Sequence, residues 1–144
     1  MNPFEMFETE ESYEINGVWQ DFGDFRIKLA RSGGKNTAYN KMLADEIKKL
    51  GKATFDAVDP EEATDLVRKV FVKTIIKDHE IKGKKGWEKG VYVKKDGKIT
   101  VVPFTSDNME LCLKQLPEYW DKIQQYADDY KVFQREVETE IVKK

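Results

Sequence analysis

The stretch from Thr105 to Phe133 constrains the fold of this chain more than any other. Thr105 and the polar residues after it can cap a short helix over residues 107–115. Pro117, which has no amide hydrogen to donate and a φ suited to a first helical turn, then starts a second helix. Apolar residues recur every three or four positions after it: Trp120, Ile123, Ala127, Tyr130, Phe133, Val137 and Ile141. This spacing predicts a helix of about 25 residues, on the order of 37 Å long, with one partly aromatic face.

The composition predicts one domain over residues 1–144, because a chain of 144 residues can bury a single core of its own. Charged residues make up 36% and hydrophobic residues 40%, and no run approaches the roughly 18 apolar residues of a membrane span. A single cysteine, Cys112, excludes an internal disulfide and a multi-thiolate metal site. We therefore expect a soluble protein in a reducing compartment, without a membrane partner.

Charge is distributed unevenly along the chain. Residues 1–24 carry seven acids and no base, whereas residues 82–98 carry seven lysines and two acids. The acidic residues 1–11 show no hydrophobic period, which predicts a flexible acidic tail. Phe4 and Phe7 are candidate partner-binding residues in this tail; the alternative is an unpacked terminus that rests loosely on its own domain.

Residues 12–31 alternate between polar and apolar positions, which indicates two or three short antiparallel strands. Asn16-Gly17 has the chemistry of a tight two-residue turn, and the polar residues around Gly23 predict a second reversal. In the strand that follows, three residues are predicted to face the core: Phe25, Ile27 and Leu29.

Two helices and a second hairpin are predicted further along the chain. Asn36 is predicted to cap the first of these helices, which Gly51 ends, and Asp59-Pro60 starts the second. Residues 91–102 alternate on either side of Asp96-Gly97, the signature of a hairpin with a type I′ turn. The elements predict a mostly helical α+β fold with an N-terminal β-hairpin sheet, about four helices and this hairpin inserted before the two C-terminal helices.

No pattern typical of a catalytic, metal or cofactor site is present. His79 is predicted to lie near the end of a helix, where the neighbouring acidic side chains point about 100° apart and cannot converge with it on one ion. We therefore expect no enzymatic activity, and we expect His79→Ala to leave folding largely unchanged. Trp87 and Tyr92 lie among lysines, which could suit single-stranded nucleic acid, but the formal net charge of −2 disfavours that partner.

Five segments share an order and spacing that point to one family. They are Asn16–Trp19, Phe25–Arg31, Asn36–Tyr39, Ile76–Glu80, and the run from Val102 through Leu116-Pro117 to Phe133. Together they resemble the tail assembly chaperones of long-tailed bacteriophages, and the resemblance covers most of the chain.

The resemblance implies a role without catalysis in the cytoplasm of the host. Such proteins bind the aggregation-prone tape measure protein, help to recruit subunits of the tail tube and leave before the virion is complete. Coating a long partner with repeated copies favours weak self-association. The candidate partner-binding residues on the C-terminal helix are Tyr119, Tyr126 and Tyr130. Two alternatives stay open: a structural protein of the virion, such as a tail or head-tail component, and a small nucleic-acid-binding protein.

Overall fold

A computed structural model describes residues 1–135 of the chain as a mixed α+β fold with two small antiparallel sheets. The predicted fold class is therefore confirmed. Its α-helices are α1 (Pro3–Phe7), α2 (Glu11–Asn16), α3 (Ala38–Lys49), α4 (Pro60–Thr74), α5 (Ser106–Gln115) and α6 (Pro117–Asp128). Its strands are β1 (Val18–Asp21), β2 (Phe25–Leu29), β3 (Ile76–Gly83), β4 (Gly86–Lys89), β5 (Val91–Lys95) and β6 (Lys98–Val102). Short 3-10 helices cover Phe55–Ala57 and Tyr130–Phe133.

The first sheet has the strand order β1-β2-β3-β4, with every neighbouring pair antiparallel. The predicted reversal at Gly23 is confirmed, and the Gly23 N–H donates a 2.7 Å hydrogen bond to Asp21 Oδ1. The strand predicted before Asn16-Gly17 is wrong, because residues 11–16 form α2 and Gly17 ends that helix at φ +98°. A helix end and a hairpin turn both require positive φ, so this dipeptide could not distinguish them.

The segment around His79 is a strand instead of the predicted helix end. Helix α4 starts at Pro60 as predicted, but it ends at Thr74, and β3 follows directly between β2 and β4. The consecutive β-branched residues Thr74, Ile75 and Ile76 favour leaving the helix, since their side chains suit a pleated sheet better. His79 therefore lies in a central strand.

Helix α3 starts at Ala38 and ends as predicted, with Gly51 at φ +72°. The predicted cap by Asn36 is wrong. Its side chain is buried and its Nδ2 donates a 2.8 Å hydrogen bond to the Arg31 carbonyl oxygen, which closes the loop before the helix. Asparagine suits both roles because its short amide bonds readily to nearby backbone groups.

The hairpin β5–β6 has the predicted position and turn. Asp96 and Gly97 adopt φ values of +52° and +77°, as a type I′ turn requires, and Lys95 pairs with Lys98 beside it. This hairpin forms a sheet of its own, of two strands, within residues 1–135.

The C-terminal helices begin where predicted, but the second is about half as long as expected. Thr105 Oγ1 accepts a 3.2 Å hydrogen bond from the Asn108 N–H at the start of α5, and Pro117 starts α6. Helix α6 ends at Asp128, and Asp129 Oδ1 then accepts a 3.0 Å hydrogen bond from the Lys131 N–H. Two consecutive carboxylates at a helix C-terminus oppose the helix dipole and favour such a turn. Val137 and Ile141 lie outside the described residues.

The main core lies between the four-stranded sheet, the hairpin and helices α4, α5 and α6. Its fully buried members include Ile27, Leu29, Ile75, Val91, Met109, Ile123 and Ala127. A smaller cluster joins α3 to the other side of α4 through Ile47, Val58, Ala63, Leu66 and Val70. Within residues 1–135, no helix is long and apolar enough to cross a membrane.

Candidate partner-binding surface

Four aromatic side chains meet where the β1–β2 turn contacts α6. Phe22 stacks on Phe25 with ring centroids 4.9 Å apart, and its edge contacts Tyr119 at 5.8 Å and Tyr126 at 6.1 Å. Tyr119 and Tyr126 are seven residues apart, which places them on one face of the helix. We call these four residues the Phe22 cluster. Phe22 is exposed, whereas the other three residues are half-buried, so the cluster forms an apolar surface at the edge of the core.

A groove beside this cluster separates the hairpin from the start of α6. It has a volume of about 470 Å³ and is lined by Asp24, Phe25, Tyr92, Val93, Lys94, Ile99, Gln115 and Leu116. Ile99 is 71% exposed and Leu116 is 48% exposed, so the groove presents apolar side chains to solvent. We call it the hairpin groove. Because Phe25 belongs to both features, the groove and the Phe22 cluster form one continuous apolar surface.

A smaller cavity of about 210 Å³ lies beneath the groove and shares Phe25, Tyr92 and Leu116 with it. Cys112 lines this cavity, and burial raises the pKa of its thiol to about 11. The thiol is therefore protonated near neutral pH and is a poor nucleophile or metal ligand.

His79 lines this cavity and makes two side-chain hydrogen bonds, one to the residue between β4 and β5 and one to α6. Its Nδ1 donates to the Gly90 carbonyl oxygen at 2.7 Å, so its Nε2 accepts from the Tyr119 hydroxyl at 3.0 Å. Burial lowers the pKa of His79, which outweighs the opposing effects of the Gly90 carbonyl and the Asp78 carboxylate. Burial, together with nearby Cys112, raises the pKa of Tyr119. The pair is therefore a neutral hydrogen-bonded unit that fixes the position of Tyr119 within the Phe22 cluster.

The structure argues against the expectation that His79→Ala would leave folding largely unchanged. The side chain is 1% exposed, and its removal would leave a cavity and two polar groups without their partner. The histidine is structural. Among residues 1–135, no group of three or more His, Cys, Asp or Glu side chains is arranged to hold a metal ion.

Four of the candidate residues named from the sequence lie in two separate aromatic contacts. Tyr119 and Tyr126 belong to the Phe22 cluster, whereas Phe7 contacts Tyr130 with ring centroids 5.6 Å apart. Phe4 is exposed at the start of the chain.

Residues 1–11 contain α1, although the sequence showed no period there. They contact the other end of the described chain, where Gln134 Nε2 donates to the Met6 carbonyl oxygen at 2.7 Å. The Glu10 N–H donates to the Phe133 carbonyl oxygen at 2.9 Å. This contact is what places Phe7 beside Tyr130.

Phe22, Ile99 and Leu116 are not among the candidate residues that the sequence indicates. Two signals could have identified them: Phe22 is a large aromatic in a polar turn, and Leu116 lies in the two-helix junction just before Pro117. Neither signal specifies exposure, which depends on the packing of distant segments.

The two aromatic residues considered for nucleic-acid binding lie on different surfaces. Tyr92 lines the hairpin groove, whereas Trp87 lies on the outer face of the four-stranded sheet. There the Arg26 guanidinium lies between the rings of Trp19 and Trp87, 4.2 Å and 4.5 Å from their centroids, and bonds Glu80 at 2.5 Å. These ring faces are occupied by the protein's own arginine, which weakens the case for base stacking.

Residues 33–144 match the model of a family described as YdaY prophage protein. The matched segment includes α3 to α6 and the hairpin groove's Tyr92, Ile99 and Leu116, but not Phe22 or Phe25. Neither the curated proteins nor the solved structures include a match to this chain.

Proposed function

The chain belongs to the YdaY prophage protein family and is therefore phage-derived, and on that premise we propose that it is a tail assembly chaperone. In this role it binds an apolar segment of the phage tape measure protein in the host cytoplasm, helps to recruit tail tube subunits and is absent from the mature virion. The resemblance of the chain to such chaperones supports the assignment.

The observation that carries the proposal is the apolar surface formed by the hairpin groove and the Phe22 cluster. Amphipathic helices bind in such grooves through apolar anchors spaced three, four or seven residues apart. Asp24 and Lys94 at the rim can set the orientation of the bound helix, since they carry opposite charges. A tape measure protein is long and mostly helical, so it offers many such segments.

The buried polar groups beneath the groove support a binding role over a catalytic one. His79 and Tyr119 satisfy each other, and the Cys112 thiol is protonated. None of these groups is prepared to transfer a proton or attack a substrate at neutral pH.

The proposal is tested by co-expressing the protein with the tape measure protein of its own phage. We expect the double variant Phe22→Ser/Leu116→Ser to fold and to lose co-purification of the tape measure protein. Leu50→Ser is the matched control, because Leu50 is 40% exposed, close to the 48% of Leu116, but lies at the end of α3. If both variants retain the tape measure protein equally, the groove is not the binding surface.

The tyrosines named from the sequence provide a second test of the same binding. Both Tyr126 and Tyr130 are half-buried, but they belong to different surfaces. Tyr126→Ser and Tyr130→Ser are therefore made together and also one at a time. Loss of binding with Tyr126→Ser alone supports the Phe22 cluster. Loss with Tyr130→Ser alone would move the site to the Phe7 contact.

Mass spectrometry of purified particles distinguishes the chaperone from a structural component of the virion. We expect the protein to be absent from particles, and a fixed copy number in them would favour the structural role. Binding to single-stranded nucleic acid that weakens steeply with added salt would favour the third role.

A further inference from the structure

Strand β6 has an edge that no other strand of residues 1–135 covers. The hairpin sheet contains β5 and β6 alone, so one side of each strand faces away from the pair. On the outer face of the hairpin, Ile99 is 71% exposed and Val101 is 51% exposed. Exposed edge strands with β-branched apolar side chains readily pair with another strand.

The register of the hairpin fixes which backbone groups point to this edge. The pair nearest a two-residue turn, Lys95 and Lys98, is hydrogen-bonded, and the pairs then alternate. The pair Lys94 and Ile99 is therefore not hydrogen-bonded, and the N–H and C=O groups of both residues point away from the hairpin. By the same alternation, those of Val101 also point outward.

The opposite edge of the hairpin confirms this direction. The Lys94 N–H donates to Gln115 Oε1 at 2.9 Å, and Gln115 Nε2 donates to the Lys94 carbonyl oxygen at 2.9 Å. A side-chain amide thus covers the β5 edge as a strand would. Within the described residues, no hydrogen bond from outside the hairpin reaches the backbone of Ile99 or Val101.

We propose that β6 pairs antiparallel with β6 of a second copy of this chain, about a two-fold axis at Thr100. Ile99 of each copy then forms the hydrogen-bonded pair with Val101 of the other, and Thr100 faces Thr100 in a pair without hydrogen bonds. The two hairpins together form a four-stranded sheet, which is more stable than an isolated hairpin.

A second copy fits this edge because the edge is self-complementary. The outward backbone groups of Ile99 and Val101 are placed symmetrically about Thr100, and both side chains are apolar and β-branched, so each forms a favourable cross-strand pair. Charge fixes the direction: Lys94, Lys95 and Lys98 lie at one end of the hairpin. Antiparallel pairing places the two lysine-rich ends far apart, whereas parallel pairing would bring them side by side.

The pairing is tested by cysteine cross-linking of the full chain. Thr100→Cys places one thiol on each side of the axis. The Cα atoms of a directly opposed pair without hydrogen bonds are about 4.5 Å apart, within the roughly 4.4–6.8 Å that a disulfide spans. Ile99→Cys is the matched control, because Ile99 is more exposed than Thr100 but lies opposite Val101 in this register. The one native cysteine, Cys112, is buried. Under mild oxidation, we expect Thr100→Cys to convert to a covalent dimer and Ile99→Cys to remain monomeric.

The unmodified protein gives an independent measurement by sedimentation. We expect the weight-average mass to rise with concentration towards twice the monomer mass, and Ile99→Lys/Val101→Lys to remain monomeric with an unchanged circular dichroism spectrum. A wild type that stays monomeric at every concentration would overturn the proposal and leave the edge for a strand of another protein. Cross-linking of Ile99→Cys as complete as that of Thr100→Cys would overturn the register. The test does not involve the tape measure protein, so it is independent of the proposed function.

Discussion

The outer face of the four-stranded sheet is covered by its own side chains, whereas the outer face of the β5–β6 hairpin stays apolar and exposed. On the first, Arg26 lies between Trp19 and Trp87 and pairs with Glu80. On the second, Ile99 and Val101 project into solvent with no such cover among the described residues.

The inner faces of the two sheets are alike, since Ile27 and Leu29 of β2 and Val91 and Val93 of β5 are all buried in one core. Both sheets therefore contribute to folding through one side. The two sheets differ in their outer faces. The four-stranded sheet pairs its own polar groups on that face, whereas the hairpin presents an apolar surface of the kind that partners bind. This difference is the observation from which we propose the hairpin as an interacting region of the protein.

The largest effect is expected from truncating the shared inner face. Ile27 is fully buried, so Ile27→Ala should lower the free energy of unfolding by roughly 2–5 kcal/mol through lost burial and a residual cavity. Val101→Ala, on the outer face of the hairpin, should change it by no more than about 0.5 kcal/mol. Urea unfolding of both variants checks the contrast. A similar cost for the two would mean that the hairpin's outer face is packed in solution.

His79 joins β3 to the β4–β5 connection and to α6, and its titration should make stability depend on pH. Burial lowers the pKa of His79 in the folded protein, so below about pH 6.5 the unfolded chain binds a proton that the folded protein does not. The free energy of unfolding should therefore fall as the pH drops below about 6.5, by at most about 1.4 kcal/mol per pH unit, and this contribution should be constant at higher pH.

The control for this prediction is His79→Gln, compared with wild type by urea unfolding between neutral and mildly acidic pH. Burial also raises the pKa of Glu110, so this residue can contribute to the pH dependence of stability in both proteins. Because His79 is the single histidine of the chain, the difference between the two pH slopes of the free energy of unfolding reports on His79 alone. Equal slopes for the two proteins would mean that the imidazole titrates normally and is not buried in solution.

The turn of the hairpin should be sensitive to a branched side chain. Gly97 adopts φ +77°, so Gly97→Val should destabilise the protein by about 1 kcal/mol or more, chiefly within the hairpin. Asp96→Asn is the control, because asparagine tolerates positive φ well. Hydrogen exchange should show lower protection of residues 91–102 in the valine variant alone. Unchanged protection there would contradict the type I′ turn.

The smallest effect is expected on the outer face of the four-stranded sheet. Arg26→Lys keeps the charge but loses the planar group between Trp19 and Trp87, which should cost roughly 0.5–1 kcal/mol. A double-mutant cycle with Trp87→Ala measures the stacking energy directly. The cost should be smaller when Trp87 is already absent, because the side chain then stacks on Trp19 alone, and the substitution should leave the association of the hairpin unchanged. Additive costs would show that stacking on Trp87 contributes nothing.

Elements with a local chemical signal were predictable from the sequence. Asp96-Gly97 specified its turn, Asp59-Pro60 and Pro117 specified the starts of α4 and α6, and Gly51 specified the end of α3. Each of these signals acts on the backbone conformation of its own or a neighbouring residue, so it does not depend on the rest of the chain. The position of Phe7 beside Tyr130, and of Phe22 beside Tyr119, had no such local signal.

The sequence by itself thus determined the fold class, the second hairpin and the starts of α4, α5 and α6. Only the tertiary structure decided that residues 76–83 form a strand, that α6 ends at Asp128 and that His79 is buried against Tyr119. It also decided where apolar side chains remain exposed, at Phe22, Ile99 and Leu116. The physical reason is that a strand in a sheet, a buried imidazole and an exposed groove each depend on residues far away in the sequence, whose packing no local pattern specifies.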